Sequence, residues 1–292
     1  ELIDLEPAQG WRTRVRLGVD ASGRAGFRKV RSNDLVTDVA CSQVVPELID
    51  GLVGPGARTF TPDSEVIAAF DDRGVRTVVE VRKAPRGRRA ETILHVLEGD
   101  GRVEQTVGEH TWTFPVSGFW QAHTKAPGAY SAFIGEVLDG AELTDVDKRG
   151  PVAWDLYGGV GLFVPVINRA LGAHVHSVEL SEGSAEAGDD ALVGLPVTFH
   201  AGRVESVTSQ LPKPHVVVLD PPRTGAGSDV VATIAEAKPQ LVIHIGCDPA
   251  TFARDVADWS AGGYTLNRLA VFNAFPGTHH YETIGVFTRK SA

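Results

Sequence analysis

Residues 155–163 read Asp-Leu-Tyr-Gly-Gly-Val-Gly-Leu-Phe, and this stretch decides the fold. It follows the apolar run Val152–Leu156, which is typical of a buried strand, and it leads into Leu162–Leu171, which we interpret as a helix. A glycine-rich turn between a strand and a helix lets a ligand approach the backbone closely. The stretch is not the dinucleotide fingerprint GxGxxG, because Val164 stands where the third glycine would be. A tight structural turn is the alternative interpretation.

Beyond the turn at residues 148–151 the chain alternates between predicted strands and predicted helices. The strands are Val152–Leu156, His174–Glu179, Val197–His200, His215–Asp220 and Leu241–Ile245. The helices are Leu162–Leu171, Glu182–Val193, Asp229–Ala237 and Ala250–Trp259. Strands separated by helices imply a parallel sheet. We therefore expect an α/β fold with a Rossmann-like, doubly wound and mostly parallel sheet.

Acidic side chains frame the glycine-rich turn. Asp155 precedes the glycines, and Glu179 ends the next predicted strand, where a carboxylate can bind ribose hydroxyls. This arrangement suits S-adenosylmethionine (SAM), with Asp155 near the methionine or ribose end and Glu179 on the ribose. Gly159 and Gly161 are expected to let SAM approach the backbone.

The sequence Asp220-Pro221-Pro222-Arg223 ends the fourth predicted strand. Two prolines directly after a buried strand fix the chain in an extended exit and hold the acid at the rim of the sheet. A helix or turn cap is the simpler role for Asp220. We interpret it as a polar anchor for the cofactor and for a target base.

Cys247 lies between the predicted strand Leu241–Ile245 and a predicted helix that opens at Pro249. A thiol at such a strand end lies on the ligand-binding rim of an α/β sheet. Backbone N–H groups at the start of the helix are expected to lower the pKa of the thiol and favour the nucleophilic thiolate. A small buried core cysteine is the alternative. Glu282 follows Phe-Pro-Gly-Thr-His-His-Tyr, and together with Cys247 it suggests a base and a nucleophile.

The first part of the chain has a different sequence pattern, with short stretches of alternating apolar and polar residues separated by turns. These predict β-hairpins at Thr13–Leu17, Gly26–Arg31, Val66–Phe70 and Thr77–Val81. A connecting helix is predicted at Thr124–Leu138. We expect a smaller β-rich α+β domain at residues 1–115, which binds RNA, and a SAM-dependent catalytic domain at residues 116–292.

The composition is that of a globular protein, with 42% hydrophobic and 22% charged residues among 292. A net charge of −9 argues against a nonspecific binder of nucleic acid, but residues 1–110 carry only −2 and residues 111–292 carry −7. Basic clusters in the first part suit phosphate contacts, although a solvated strand face is the common alternative. The clusters are Arg12, Arg14 and Arg16; Arg28, Lys29 and Arg31; and Arg82, Lys83, Arg86, Arg88 and Arg89.

The sequence also bears on compartment. No apolar run approaches the roughly 20 residues of a membrane span, and the first residues, ELIDLEPAQG, are not a signal peptide. Cys41 and Cys247 are too far apart in sequence to suggest a disulfide framework. We expect a cytoplasmic protein with no membrane partner.

Several motifs in this order resemble the bacterial RNA uracil-5 methyltransferases, which make 5-methyluridine in tRNA and 23S ribosomal RNA. The resemblance runs from about Arg14 to Arg289 and implies the class I SAM-dependent methyltransferase fold. The motifs are Gly118-Phe119-Trp120-Gln121, Asp155–Phe163, Asp220–Arg223, Cys247-Asp248-Pro249-Ala250 with Ala253-Arg254-Asp255, and Phe275-Pro276-x-Thr278-x-His280-x-Glu282.

The resemblance implies that Cys247 is the nucleophile and Glu282 the base. Uracil C5 is a poor nucleophile until a thiolate adds to C6, after which C5 attacks the methyl donor and a base removes the C5 proton. His279 and His280 are alternative proton acceptors. The implied contacts to SAM come from Gln121, Tyr157, Glu179 and Asp220, and we assign contacts to RNA to Phe119, Trp120 and Arg223.

Two features depart from the family pattern. Leu162 stands where a polar residue is common, so one hydrogen bond to the cofactor is expected to be absent. Some family members bind a [4Fe–4S] cluster through four cysteines, and Cys41 resembles the last of those ligands. This chain has no other cysteine before Cys247 and cannot hold a cluster by itself, whereas a longer native chain could supply the other ligands. We expect a monomer that acts on rRNA or tRNA.

Three other functions compete with this interpretation. An amino-group methyltransferase also has an acid-Pro-Pro motif after the fourth strand, but Arg223 replaces its aromatic residue and it needs no Cys–Glu pair. Cytosine-5 methyltransferases place their cysteine after the fourth strand, whereas Cys247 follows the fifth. A noncatalytic RNA-binding factor with this fold would not need Cys247 and Glu282.

Overall fold

The computed structural model describes residues 1–30, 32–83 and 92–290. Four members of the basic clusters, Arg31, Arg86, Arg88 and Arg89, lie outside the described residues. The strands are β1 (Leu2–Asp4), β2 (Arg14–Val19), β3 (Ala25–Arg28), β4 (Leu35–Val36), β5 (Glu65–Phe70), β6 (Arg76–Lys83), β7 (Thr92–Glu98), β8 (Arg102–Val107), β9 (His110–Pro115), β10 (Val152–Leu156), β11 (His174–Glu179), β12 (Val197–Ala201), β13 (Val216–Leu219), β14 (Leu241–Gly246), β15 (Tyr264–Asn273) and β16 (Glu282–Arg289). The helices are α1 (Pro46–Ile49), α2 (Ala126–Asp139), α3 (Val164–Leu171), α4 (Glu182–Ala191), α5 (Val204–Val207), α6 (Ser228–Ala237) and α7 (Pro249–Ala261).

The chain forms two compact units. The C-terminal unit comprises Glu1–Leu5, Val107–Trp112 and Lys125–Ala292, and the N-terminal unit comprises Glu6–Thr106 and Thr113–Thr124. These units do not coincide with a single division at residue 115, because β1 pairs in parallel with β15. That residues 1–115 and 116–292 are separate domains stays a prediction.

The C-terminal unit contains an eight-stranded sheet in the order β1-β15-β16-β14-β13-β10-β11-β12. Strands β10 to β14 pair in parallel, which confirms the predicted doubly wound α/β fold. Every residue of β13 and β14 is buried, as expected for parallel strands covered on both faces. The chain leaves β10 toward β11 on one side and later returns to β13 on the other. The carboxyl ends of β10 and β13 therefore form the switch point at which α/β sheets bind ligands.

The predicted strands and helices of this unit are largely confirmed, and β10 and β11 have the predicted bounds. Helix α3 begins at Val164 rather than Leu162, because the glycine turn continues to that point and Pro165 occupies its first turn. Helix α2 begins at Ala126 rather than Thr124, with Pro127 in its first turn.

The antiparallel pair β15 and β16 was not predicted. Strand β16 inserts between β15 and β14 and runs antiparallel to both. Its register with β14 pairs Gly246 with Thr283, so the next residues along, Cys247 and Glu282, lie opposite each other where the two strands part. This addition to the parallel sheet is what brings the two predicted catalytic residues together.

The N-terminal unit contains an antiparallel sheet in the order β4-β3-β2-β5-β6-β7. Its core joins alternate residues of β2, β5 and β6 to α1, and the predicted hairpins β2–β3 and β5–β6 are present. Asp20 closes the first turn by accepting hydrogen bonds from the amides of Ser22 and Arg24, each at 2.9 Å. Cys41 is partly buried against this core.

The helices in the described ranges were compared with the length and apolar character of a membrane span. None of them combines the length and the apolar character needed to cross a bilayer.

Candidate active site

The glycine-rich turn after β10 has backbone conformations that favour glycine. Gly159 and Gly161 have φ of +57° and +77°. A Cβ at Gly161 would lie 2.8 Å from Cζ of Phe199, so a larger residue does not fit there. A Cβ at Gly159 would meet no atom within 4 Å, which leaves one side of its backbone open. An open backbone at this point is what a ligand that lies across the turn requires.

Two predicted cofactor acids lie against this turn. Oδ2 of Asp155 accepts a hydrogen bond from Oγ of Ser177 at 2.8 Å, and Oε2 of Glu179 accepts one from the amide of Gly159 at 3.1 Å. Burial raises the pKa of Asp155 to about 7, with a smaller contribution from Glu179 and an opposing one from Ser177. The structure therefore brings Asp155, Glu179 and the glycines together at one place.

Tyr157 has a left-handed backbone, with φ of +59°, although it carries a side chain. Such a conformation costs about 1–3 kcal/mol and is typical of functional turns. The ring packs against the hydrophobic core of the C-terminal unit. Burial raises the pKa of its hydroxyl to about 12, and the carboxylates of Glu205 and Asp255 contribute to this rise. Tyr157 thus contributes its backbone to the turn while its hydroxyl lies toward those acids.

The Asp-Pro-Pro-Arg loop after β13 is held in place by α7. The fully buried Asp255 accepts a hydrogen bond from the amide of Ala226 at 2.7 Å, and Arg254 donates to the carbonyl of Thr224 at 2.8 Å. Thr251 donates to the carbonyl of Arg223 at 3.0 Å. These contacts explain why Ala253-Arg254-Asp255 accompanies the cysteine motif in the sequence. They fix the loop that carries Asp220 and the exposed Arg223.

Cys247, Glu282, Asp220 and Arg223 interact electrostatically at the carboxyl ends of β13 and β14. The Glu282 side chain is only 3% exposed, and burial raises its pKa well above the usual range, with a further rise from Asp220. Tyr130 and Arg223 oppose this rise. The protein alone therefore favours the neutral form of this carboxyl more than water does.

The predicted lowering of the Cys247 pKa is wrong. Burial, with smaller contributions from Glu282 and Asp220, raises the pKa of this thiol to about 11. The helix N-terminus does not compensate, because Asp248 occupies the N-cap position. Its Oδ1 accepts hydrogen bonds from the amides of Ala250 and Thr251, both at 3.0 Å, and so uses the donors expected to favour the thiolate.

Tyr130 of α2 belongs to this cluster and was not predicted as a site residue. Its buried hydroxyl interacts with Glu282, Asp220 and Cys247. In the sequence it is one of the buried positions of α2, together with Phe133, Ile134 and Leu138. The only available signal was a phenol hydroxyl in an otherwise apolar stripe.

The remaining predicted contacts lie in the N-terminal unit. Gln121 and Trp120 are each 6% exposed, whereas Phe119 is 66% exposed. The ring of Trp120 packs against Phe114 at a centroid distance of 5.6 Å. Arg14 donates to the carbonyls of Val116 and Gly118, so this member of the first basic cluster holds the turn before Phe119.

Comparisons with known proteins agree with this fold. A family model described as tRNA (Uracil-5-)-methyltransferase matches residues 173–291. A protein of Corynebacterium efficiens, named as an uncharacterised RNA methyltransferase, is 96% identical over 292 residues, which are 100% of this chain and 69% of that protein. The 23S rRNA (uracil(1939)-C(5))-methyltransferase RlmD of Cronobacter sakazakii is 28% identical, with 97% of this chain and 72% of that protein covered.

A similar solved structure is the tRNA (uracil-54, C5)-methyltransferase of Pyrococcus abyssi in complex with S-adenosyl-L-homocysteine. The TM-score is 0.71 at 17% identity, over 99% of this chain and 78% of that one. The fold is thus that of the class I SAM-dependent methyltransferases. The chain belongs to the RNA uracil-5 methyltransferase family and is a SAM-dependent RNA methyltransferase.

Proposed function

We propose that the protein methylates C5 of a uridine in rRNA or tRNA, with Cys247 as the nucleophile and Glu282 as the base. The observation that carries the proposal is the β14–β16 register, which places these two side chains opposite each other in a cluster with Asp220. An amino-group methyltransferase needs no such pair, and neither does a noncatalytic RNA-binding factor.

The chemistry needs both residues in turn. The Cys247 thiolate adds to C6 of uracil, and the electron pair of the C5–C6 double bond makes C5 nucleophilic. C5 would then take the methyl group as the bond from that group to the sulfonium sulfur of the methyl donor breaks and leaves its electron pair on sulfur. Glu282 removes the C5 proton, the double bond between C5 and C6 forms again, and the electron pair of the S–C6 bond returns to sulfur. The product is 5-methyluridine.

The residues present fit SAM. Glu179 and the open backbone at Gly159 suit a ribose, and Asp155, Gly161 and Asp220 complete the proposed contacts within the C-terminal unit. That Gln121 and Tyr157 also contact SAM stays a prediction. When bound, SAM supplies an electrophilic methyl group on a cationic sulfur. A cation near Asp220 and Glu282 would offset the negative charges that oppose ionisation of Cys247.

RNA contacts in this proposal come mainly from exposed groups. Phe119 offers a ring for stacking on an unpaired base, and Arg223 offers a cation beside the reacting groups. Trp120 is a weaker candidate than predicted, because its ring is packed inside the N-terminal unit. We propose that the protein acts as a monomer in the cytoplasm. Cys41 would join a cluster only in a longer chain with further cysteines.

Nucleoside mass spectrometry tests the proposed reaction. The protein is incubated with SAM carrying a deuterated methyl group and with transcripts of 23S rRNA and tRNA. We expect labelled 5-methyluridine, and none with Cys247→Ala, whereas Cys41→Ala should retain the activity. Label in N-methylated adenosine or in 5-methylcytidine would instead support one of the competing methyltransferase functions.

A further inference from the structure

Tyr130 lies beside the proposed base through a specific packing arrangement. Its side chain is 0% exposed, and its ring meets Phe272 edge to face at a centroid distance of 5.1 Å. Phe272 is the residue paired with Glu282 across β15 and β16. The ring of Tyr130 therefore packs against the strand pair that carries Glu282.

The polar atoms of both side chains are buried. Among the described residues, the hydroxyl of Tyr130 and Oε1 of Glu282 make no hydrogen bond of ordinary geometry in the protein alone. Buried polar groups are nearly always hydrogen-bonded, and an unpaired one is costly. The hydroxyl and the carboxyl already shift each other's pKa as a hydrogen-bonding pair, so we expect the bond to reach ordinary geometry in the ionised state of the carboxyl. Ionised Glu282 is an acceptor on both oxygens, so this state is the one with the base ready to react.

We infer that Tyr130 positions the base by donating a hydrogen bond from its hydroxyl to the ionised carboxylate of Glu282. This inference rests on the proposed function, because it concerns the removal of the C5 proton. Tyr130 keeps its own proton throughout. The proton from C5 goes to Glu282, and the electron pair of the C5–H bond forms the C5–C6 double bond as sulfur leaves C6.

The charges around Glu282 explain why such a donor matters. Burial and Asp220 raise the pKa of Glu282, whereas Tyr130 and Arg223 lower it. Burial raises the pKa of Tyr130 well above its ordinary value, and Glu282 and Asp220 raise it further, which keeps the phenol protonated as a donor. Cys247 also interacts electrostatically with Tyr130 and with Glu282. Loss of the hydroxyl should therefore raise the pKa of Glu282 further.

Tyr130→Phe tests this role, since it removes one oxygen and keeps the ring that contacts Phe272. The rate of tritium release from transcripts of 23S rRNA and tRNA labelled at uridine C5 is measured under single-turnover conditions from pH 6 to 10. We expect the acid limb of the profile to move up by about one pH unit, with a rate about tenfold lower below the limb. Tyr264→Phe is the matched control, because its buried hydroxyl donates to the carbonyl of Pro239 at 2.8 Å, within the core. Its profile should match that of the unchanged protein.

A second substrate separates failure of this inference from failure of the proposed function. Transcripts with 5-fluorouridine have no C5 proton, so Tyr130→Phe should form the covalent adduct at the unchanged rate. If the unchanged protein forms no adduct, the proposed function is wrong. If it forms the adduct and Tyr130→Phe keeps the normal pH profile, the role of Tyr130 is overturned. Should the phenylalanine variant not fold, 3,5-difluorotyrosine is introduced at position 130, where it is a stronger hydrogen-bond donor. The acid limb of the pH profile should then move to lower pH. An unmoved acid limb overturns the inference.

Discussion

At the scale of single residues, the site holds acidic groups that disfavour one another's ionisation. Asp220 and Glu282 raise the pKa of the Cys247 thiol to about 11 on top of the effect of burial, and Asp220 also raises the pKa of Glu282. The pKa values of both proposed catalytic groups are thus raised in the protein alone. Because the charge of Asp220 affects both, it couples their ionisation to any cation that binds nearby.

The thiol pKa should therefore fall when Asp220 is neutralised. Asp220→Asn, made in a Cys41→Ala background, removes a negative charge that disfavours the thiolate. We expect the pKa of Cys247 to drop by about one unit from its raised value, so that alkylation by iodoacetamide at pH 8 becomes about tenfold faster. Asp229→Asn, on α6, is the control and should leave the rate unchanged. An equal rate in both variants would show that burial alone sets the thiol pKa.

Glu282→Gln should separate addition from proton removal. The amide keeps the size of the side chain but cannot accept the C5 proton, so methylated RNA should stay bound to Cys247. Denaturing gel electrophoresis with labelled transcripts should reveal this species, which Glu282→Gln/Cys247→Ala cannot form. If Glu282→Gln turns over without accumulating it, His279, His280 or water is the base.

At the scale of elements, the turn from β10 to α3 depends on left-handed glycines. Gly161→Ala should destabilise the protein by about 1–3 kcal/mol and weaken SAM binding, because φ is +77° and the new Cβ would lie 2.8 Å from Phe199. Thermal unfolding and calorimetry measure the two effects. Gly183→Ala in α4 meets no atom within 4 Å and should be neutral or slightly stabilising. Similar results for the two variants would contradict this account of the turn.

Strand β10 was predictable because it is a short, mostly apolar run that ends at the glycine-rich turn, and β11 because Val175 and Val178 lie in a short stretch between two predicted helices. Strands β15 and β16 were not, because their places in the sheet depend on pairing with each other, with β14 and with β1, which is remote in sequence. Cys247 and Glu282 could be chosen as candidates for the nucleophile and the base from the sequence motifs alone. The ionisation of Cys247 was not, because the residue that takes the helix amides is the neighbouring Asp248.

The role proposed for Tyr130 also could not be predicted from the sequence, because it depends on tertiary packing. Its residue type and helical position were in the sequence, but its relation to Glu282 comes from packing of α2 on Phe272. Pairing across β15 and β16 then brings the phenol and the carboxyl together. A helix pattern alone predicts only that the ring is buried.

At the scale of the whole molecule, charge is unevenly distributed, with −2 on residues 1–110 and −7 on residues 111–292. A polyanion such as RNA is repelled less by the first part. The side chains of Arg16 and Arg28 there are 55% and 49% exposed, and both pair with Glu65. Deleting the first part is a poor test of its role, because β1 belongs to the sheet of the C-terminal unit.

Arg16→Gln/Arg28→Gln should weaken RNA binding without changing SAM affinity. Each lost phosphate contact should reduce the slope of log affinity against log salt by about one. Filter binding of 23S rRNA and tRNA transcripts at several salt concentrations measures this slope. Arg149→Gln, whose side chain is 91% exposed in the C-terminal unit, is the control. Equal slopes for both variants would show that the exposed arginines of the N-terminal sheet do not contact RNA.

The central claim is that Cys247 forms a covalent bond to uracil during methyl transfer. The most direct measurement is mass spectrometry of peptides after incubation with SAM and transcripts that contain 5-fluorouridine, in which the C5 substituent cannot leave as a proton. We expect a methylated fluorouridine attached to the Cys247 peptide, formed only with SAM present and absent from Cys247→Ala. Methylated RNA without any adduct, or an adduct that persists in Cys247→Ala, would contradict it.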